Sequence, residues 1–148
     1  MKKDDFLRSL AIGKAFEADA MRELEKMGCQ IVHVPKGNFK AYDFLALVKG
    51  RLLAFECKYD RFSCINGDVA IEYSCSNKHS GIVSTTANYW LIRACNTFFC
   101  ISVPTLRRLI AEKKYYRKAN GQKTKMYIFR KSFLLDYSRV IKEYESGY

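Results

Sequence analysis

From Ile12 the chain repeats apolar residues at helical spacing, with Ile12, Phe16, Ala20, Leu24 and Met27 on one side and Asp19, Arg22, Glu23 and Lys26 on the other. Two short apolar runs follow. Ala-Tyr-Asp-Phe-Leu-Ala-Leu-Val ends at Val48 and Arg-Leu-Leu-Ala-Phe-Glu-Cys-Lys starts at Arg51. Both have the length and the aromatic and aliphatic content of strands, and Lys49-Gly50 between them suits a tight hairpin turn. After an Asn66-Gly67-Asp68 turn comes a short apolar stretch over 69–73, and Thr85 or Thr86 is expected to cap a helical turn ahead of a strand over Tyr89–Ala94. Asn96-Thr97 reads as the turn into an apolar strand over 98–103. Pro104 opens a helix over 105–113 with Leu106, Leu109 and Ile110 inward. Residues 125–130 alternate like an edge strand, and 132–144 read as a closing helix with Phe133, Leu134, Tyr137, Val140 and Ile141 apolar. The expectation is one α/β domain over residues 1–148, with a first helix, a central mixed β-sheet of about five strands and flanking helices.

The hairpin carries chemistry. With Lys49 and Gly50 as its loop, cross-strand partners sum to 99, so Val48 faces Arg51, Leu45 faces Ala54 and Asp43 faces Glu56. Side chains alternate along a strand, which puts Asp43, Leu45 and Leu47 on the face that also carries Leu52, Ala54, Glu56 and Lys58. Facing carboxylates repel by about 0.2–1 kcal/mol even on a wet sheet and more on an apolar one, so a cation is called for. A hard divalent ion with oxygen ligands, Mg²⁺ being the usual choice, answers that need, with the Lys58 ammonium nearby. The competing reading is a half-exposed strand end where Glu56 and Lys58 simply pair. Glu17 lies one turn from Gly13 and Met21, at the edge of the apolar stripe, where it either reaches the sheet or pairs with Lys14 on the surface.

A helix with Glu17, a strand with Asp43 and a strand with Glu56-Cys57-Lys58, in that order and close together, resembles the PD-(D/E)XK nuclease superfamily, in particular its small Holliday-junction-resolvase-like and viral-type members. The resemblance runs from about Gly13 to Lys58, with a weaker echo to Trp90, and Tyr42 stands where the superfamily name carries proline. It implies a restriction-endonuclease-like fold and metal-dependent hydrolysis of DNA. Asp43, Glu56 and the Cys57 carbonyl then hold Mg²⁺ (or Mn²⁺ in its place), Lys58 assists the attacking water and Glu17 adds a further ligand. It also implies branched DNA as substrate, in recombination or repair, and a homodimer. A site-specific restriction or homing endonuclease, and a nucleic-acid-binding module without catalysis, are the alternatives.

Composition agrees with a polyanionic partner: 26 Lys and Arg against 15 Asp and Glu leave a formal charge of +11. The basic residues are spread along the chain, which does not suit a membrane surface. Candidate backbone contacts are Lys14 and Arg61 beside the proposed site, Lys78, His79, Ser80 and Thr85 in the polar stretch 74–86, and Lys114, Arg117 and Lys118 where cations mix with Tyr115 and Tyr116. The first polar stretch is otherwise a plain solvent loop, and the second a solvated helix end. Glu72 reads either as an extra metal ligand or as a surface residue.

No run of about 18 apolar residues is present and Met1-Lys2-Lys3-Asp4-Asp5 leads into no apolar signal core, so an intracellular protein, cytoplasmic or nucleoid-associated, is expected. The six cysteines, Cys29, Cys57, Cys64, Cys75, Cys95 and Cys100, form no C-x-x-C pair and read as reduced, small buried hydrophobes.

Overall fold

A computed structural model describes residues 3–39 and 41–145. Helix α1 (Lys3–Lys26) leads through β1 (Gln30–His33) to the hairpin, which forms as β2 (Phe44–Val48) and β3 (Arg51–Asp60). Short α2 (Ser63–Asn66), β4 (Asp68–Cys75) and β5 (Lys78–His79) precede β6 (Tyr89–Ala94) and β7 (Thr97–Ser102). Then come α3 (Val103–Ala111), β8 (Arg117–Asn120), β9 (Thr124–Arg130), α4 (Lys131–Leu135) and β10 (Arg139–Glu143).

The hairpin pairs Phe44 with Phe55, Leu45 with Ala54 and Val48 with Arg51, the register its two-residue loop requires. Lys49 and Gly50 both take positive φ, 50° and 79°, as a twist-matched two-residue turn demands. Six strands form the main sheet in the order β1-β2-β3-β6-β7-β10. It is mixed because β3 and β6 run parallel while its other pairs are antiparallel. The fold is α/β with a mixed central sheet, one strand larger than the pattern implied.

Each face of that sheet is covered. Phe16, Ala20 and Leu24 of α1 pack on Phe44, Ala46, Phe55, Leu91 and Phe98. On the other face Trp90, Ile92, Phe99 and Ile101 meet Leu106 and Leu109 of α3, Leu134 of α4, and Val69, Ile71 and Phe129. The centres of β6 and β7, Trp90-Leu91-Ile92 and Phe98-Phe99-Cys100-Ile101, are continuous apolar runs because they are covered on both sides. The last three of those residues belong to a second, four-stranded sheet in the order β5-β4-β9-β8. Residues 125–130, expected at an edge, are therefore part of an inner strand, since β9 pairs with both β4 and β8.

Three local expectations are corrected. Residues 132–144 are not a helix: α4 stops at Leu135, Ser138 Oγ donates back to the Leu134 carbonyl at 2.6 Å, and β10 pairs along β7. The edge of β7 offers unpaired backbone groups, and β-branched Val140 and Ile141 suit a strand laid on it. The turn after β6 is Cys95-Asn96, one residue early, with Cys95 at φ 57°. There Cys95 reaches Cys64 of α2 and the two form a disulfide, while Cys29, Cys57, Cys75 and Cys100 are free. The polar side of α1 meets the C-terminal strand: Lys142 Nζ reaches Asp19 at 3.3 Å and Glu23 at 3.5 Å, and the Tyr144 hydroxyl donates to Asp19. Among the described residues no helix is long and apolar enough to cross a membrane.

Candidate active site

Strand β3 outruns β2, and its exposed backbone beyond Phe55 needs new partners. Asp43 supplies them: its N–H donates to the Phe55 carbonyl at 2.8 Å and its Oδ2 accepts the Cys57 N–H at 2.6 Å. This fixes the carboxylate at the open end of the hairpin. Next to it, Glu56 is only 8 % exposed and both its oxygens are engaged. Thr85 Oγ1 donates to Oε1 at 3.0 Å, and Lys58 Nζ lies 2.9 Å from Oε2. Thr85 in turn accepts from Ala87 N at 3.2 Å and from Trp90 Nε1 at 3.4 Å. Arg107 of α3 holds the loop that carries Thr85, donating to the Ile82 carbonyl from Nε and Nη2 at 3.1 and 3.0 Å and to the Thr85 carbonyl at 3.0 Å. The Lys58 ammonium sits 5.3 Å from the centre of the Trp90 ring.

From the opposite side α1 brings Glu17 into the cleft that Asp43 lines. Burial, and then the charge of Asp43 and the hydrogen bond to it, push Glu17 up to about 7 against the opposing pull of Lys14. Burial works against the Lys58 ammonium, but Glu56, by charge and hydrogen bond, and then Asp43 and Glu72 outweigh it and hold its pKa above the usual lysine value. Lys58 therefore stays charged at neutral pH. Burial, with Asp43, Glu17 and Glu56 adding to it, pushes the Cys57 thiol well up, so it is no nucleophile.

Glu17, Asp43, Glu56 and Lys58 line a single open cleft of about 580 Å³ together with Lys14, Glu72 and Ser80. The Glu56–Lys58 pair that a bland strand end would show is present, but within a cluster of four carboxyls. Ser80 Oγ donates to Glu72 Oε2 at 2.8 Å. Gly81 beside it has φ +52°, and a Cβ there would fall 2.1 Å from the Glu72 carbonyl oxygen, so this wall closes only on glycine.

The other candidates scatter. Thr85 is buried and serves Glu56, which removes it from contact with solvent. Lys78 and His79 are exposed on β5, at one edge of the second sheet, and do not line the cleft. Arg117 and Lys118 lie on β8 at that sheet's other edge, with Lys118 over the Tyr127 ring, and Lys114 precedes them. Arg61 lines two neighbouring recesses. Sequence reasoning missed Trp90 and Arg107, which support the site from beneath and carry no motif of their own.

Among the described residues no three of His, Cys, Asp and Glu already surround a point as metal ligands. The donor set nonetheless fits a hard divalent cation: the carboxyls of Glu17, Asp43, Glu56 and Glu72 line one cleft with no imidazole among them. Mg²⁺ would supply compensating charge for them. No family model, curated protein or solved structure matches the chain.

Proposed function

We propose that the protein is a metal-dependent endodeoxyribonuclease that cuts branched DNA. The observation that carries this reading is the convergence of Glu17, Asp43, Glu56 and Lys58 on one cleft, from a helix and the open end of a hairpin, with Glu17 raised to about 7 by burial and then by the charge of Asp43. Asp43, Glu56 and the Cys57 carbonyl hold Mg²⁺, with Glu17 beside them. The bound ion supplies Lewis-acid activation of the phosphate and of the attacking water. The chain does the rest. Lys58, kept charged and steadied over Trp90, neutralises a phosphate oxygen and orients the attacking water. Thr85, clamped by Arg107, keeps the Glu56 carboxylate turned toward the cleft.

The formal charge of +11 supports a polyanionic substrate. Paired cuts across a junction need two sites at fixed spacing, which a twofold homodimer supplies. The test is incubation of the protein with linear, nicked, flapped and four-way DNA, with and without Mg²⁺, while light scattering reports its mass. Mg²⁺-dependent cutting of the branched forms by a dimer supports the reading, and equal cutting of linear duplex by a monomer removes its structure selectivity and its dimer.

A further inference from the structure

Two further recesses adjoin the acidic cleft, one of about 730 Å³ under the N-terminal half of α1 and one of about 540 Å³ beyond it. Lys58, Gly13 and Glu72 line both the acidic cleft and the first recess, and Ile12 and Arg61 line both recesses, so the three form one continuous groove. Its chemistry changes along its length. The far recess is basic, with Arg8, Arg61, Arg93 and Lys142 around a single carboxylate, Asp19. Arg93 is stacked there, 4.6 Å from the Tyr59 ring centre and 3.6 Å from that of Tyr144, and Lys142 already pairs with Asp19.

Between the two ends, Phe62 and Ile65 line the groove while 74 % and 77 % exposed. They are the most exposed of the large apolar side chains among the described residues, and they stand three residues apart on one short segment. The segment that presents them is also firmly fixed. Asp60 accepts from Ser63 N at 3.2 Å and Ala70 N at 2.8 Å, Ser63 Oγ donates to the Asp60 carbonyl at 2.8 Å, and Cys64, between the two, is tied to Cys95.

We infer that this groove binds a single nucleic-acid strand, which runs from the acidic cleft beneath α1, stacks its bases on Phe62 and Ile65, and seats its phosphates at Arg8 and Arg61. The inference rests on the nuclease reading for the direction of the strand, and it names the branch as one with a single-stranded arm. Alternation of cations with bare apolar platforms is how single strands are held without regard to sequence.

The test is fluorescence anisotropy in EDTA with labelled oligothymidine, an abasic oligonucleotide of the same length and a blunt duplex. The double variant Phe62→Ala/Ile65→Ala should bind oligothymidine about tenfold more weakly and the abasic strand unchanged. Arg8→Ala/Arg61→Ala should weaken both and flatten the salt dependence by about two phosphate contacts. Undiminished oligothymidine binding by both variants overturns the path. No metal is present, so the outcome is independent of cleavage: a protein that cuts nothing yet loses strand affinity in these variants keeps the path and loses the hydrolysis.

Discussion

Glu17 on α1 and Asp43 at the head of β2 line the same cleft, and burial, with the charge of Asp43 adding to it, raises the Glu17 pKa to about 7. Between about 4.5 and about 7 the folded chain keeps a proton that the unfolded chain has released, so this pair makes stability fall as pH rises through that window. Glu17→Gln should therefore raise the melting temperature of the metal-free protein above pH 7 and leave it unchanged below about 4.5. Thermal denaturation in EDTA across that range checks it, and a pH-independent effect contradicts the raised Glu17 pKa.

Asp43 has two duties, and substitutions separate them. Asp43→Ala leaves the Cys57 N–H without its acceptor and should destabilise the apo protein by about 1–3 kcal/mol in urea unfolding. Asp43→Asn keeps an acceptor oxygen and removes a charge, so it should fold at least as stably as the parent while failing to cut DNA. Equal stability of the two variants would show that the backbone contact contributes nothing.

The Cys64–Cys95 bond spans 31 residues and should stabilise the fold by about 3 to 4 kcal/mol on the chain-entropy account. Thiol titration of the unfolded, unreduced protein should find four free thiols. Six would contradict the bridge. Cys64→Ser should lower the urea midpoint by the corresponding amount.

Arg107 touches neither Asp43 nor Lys58, yet three hydrogen bonds from it hold the loop of Thr85, and Thr85 holds Glu56. Arg107→Ala should lower kcat by about 10- to 100-fold through misplacement of Glu56, with near-UV circular dichroism retained. An unchanged kcat would remove Arg107 from the account.

The hairpin and its register were legible because the rule is local: a two-residue loop sets every cross-strand pair, and Phe44 opposite Phe55 follows from it. Glu17 was legible from its place at the edge of the α1 stripe. The C-terminal segment was not, since Phe133, Leu134, Tyr137, Val140 and Ile141 keep helical spacing by coincidence across α4, a turn and β10, and only the open edge of β7 decides between them. The disulfide was equally hidden, because it depends on where the β6–β7 turn falls relative to α2. Trp90 and Arg107 carry no motif that marks them as part of the site. Their role comes from the loop that packs between them, which no spacing along the chain encodes.

The most direct measurement of the central claim is the cleavage of a flapped or four-way DNA by the parent, Asp43→Asn and Glu56→Gln, each with Mg²⁺ and with EDTA. The account predicts cutting by the parent in Mg²⁺ alone, with both variants inactive while still binding the DNA when Ca²⁺ replaces Mg²⁺. Cutting by either purified variant at the parent's rate, or undiminished cutting by the parent in EDTA, would contradict a metal-dependent nuclease site at these residues.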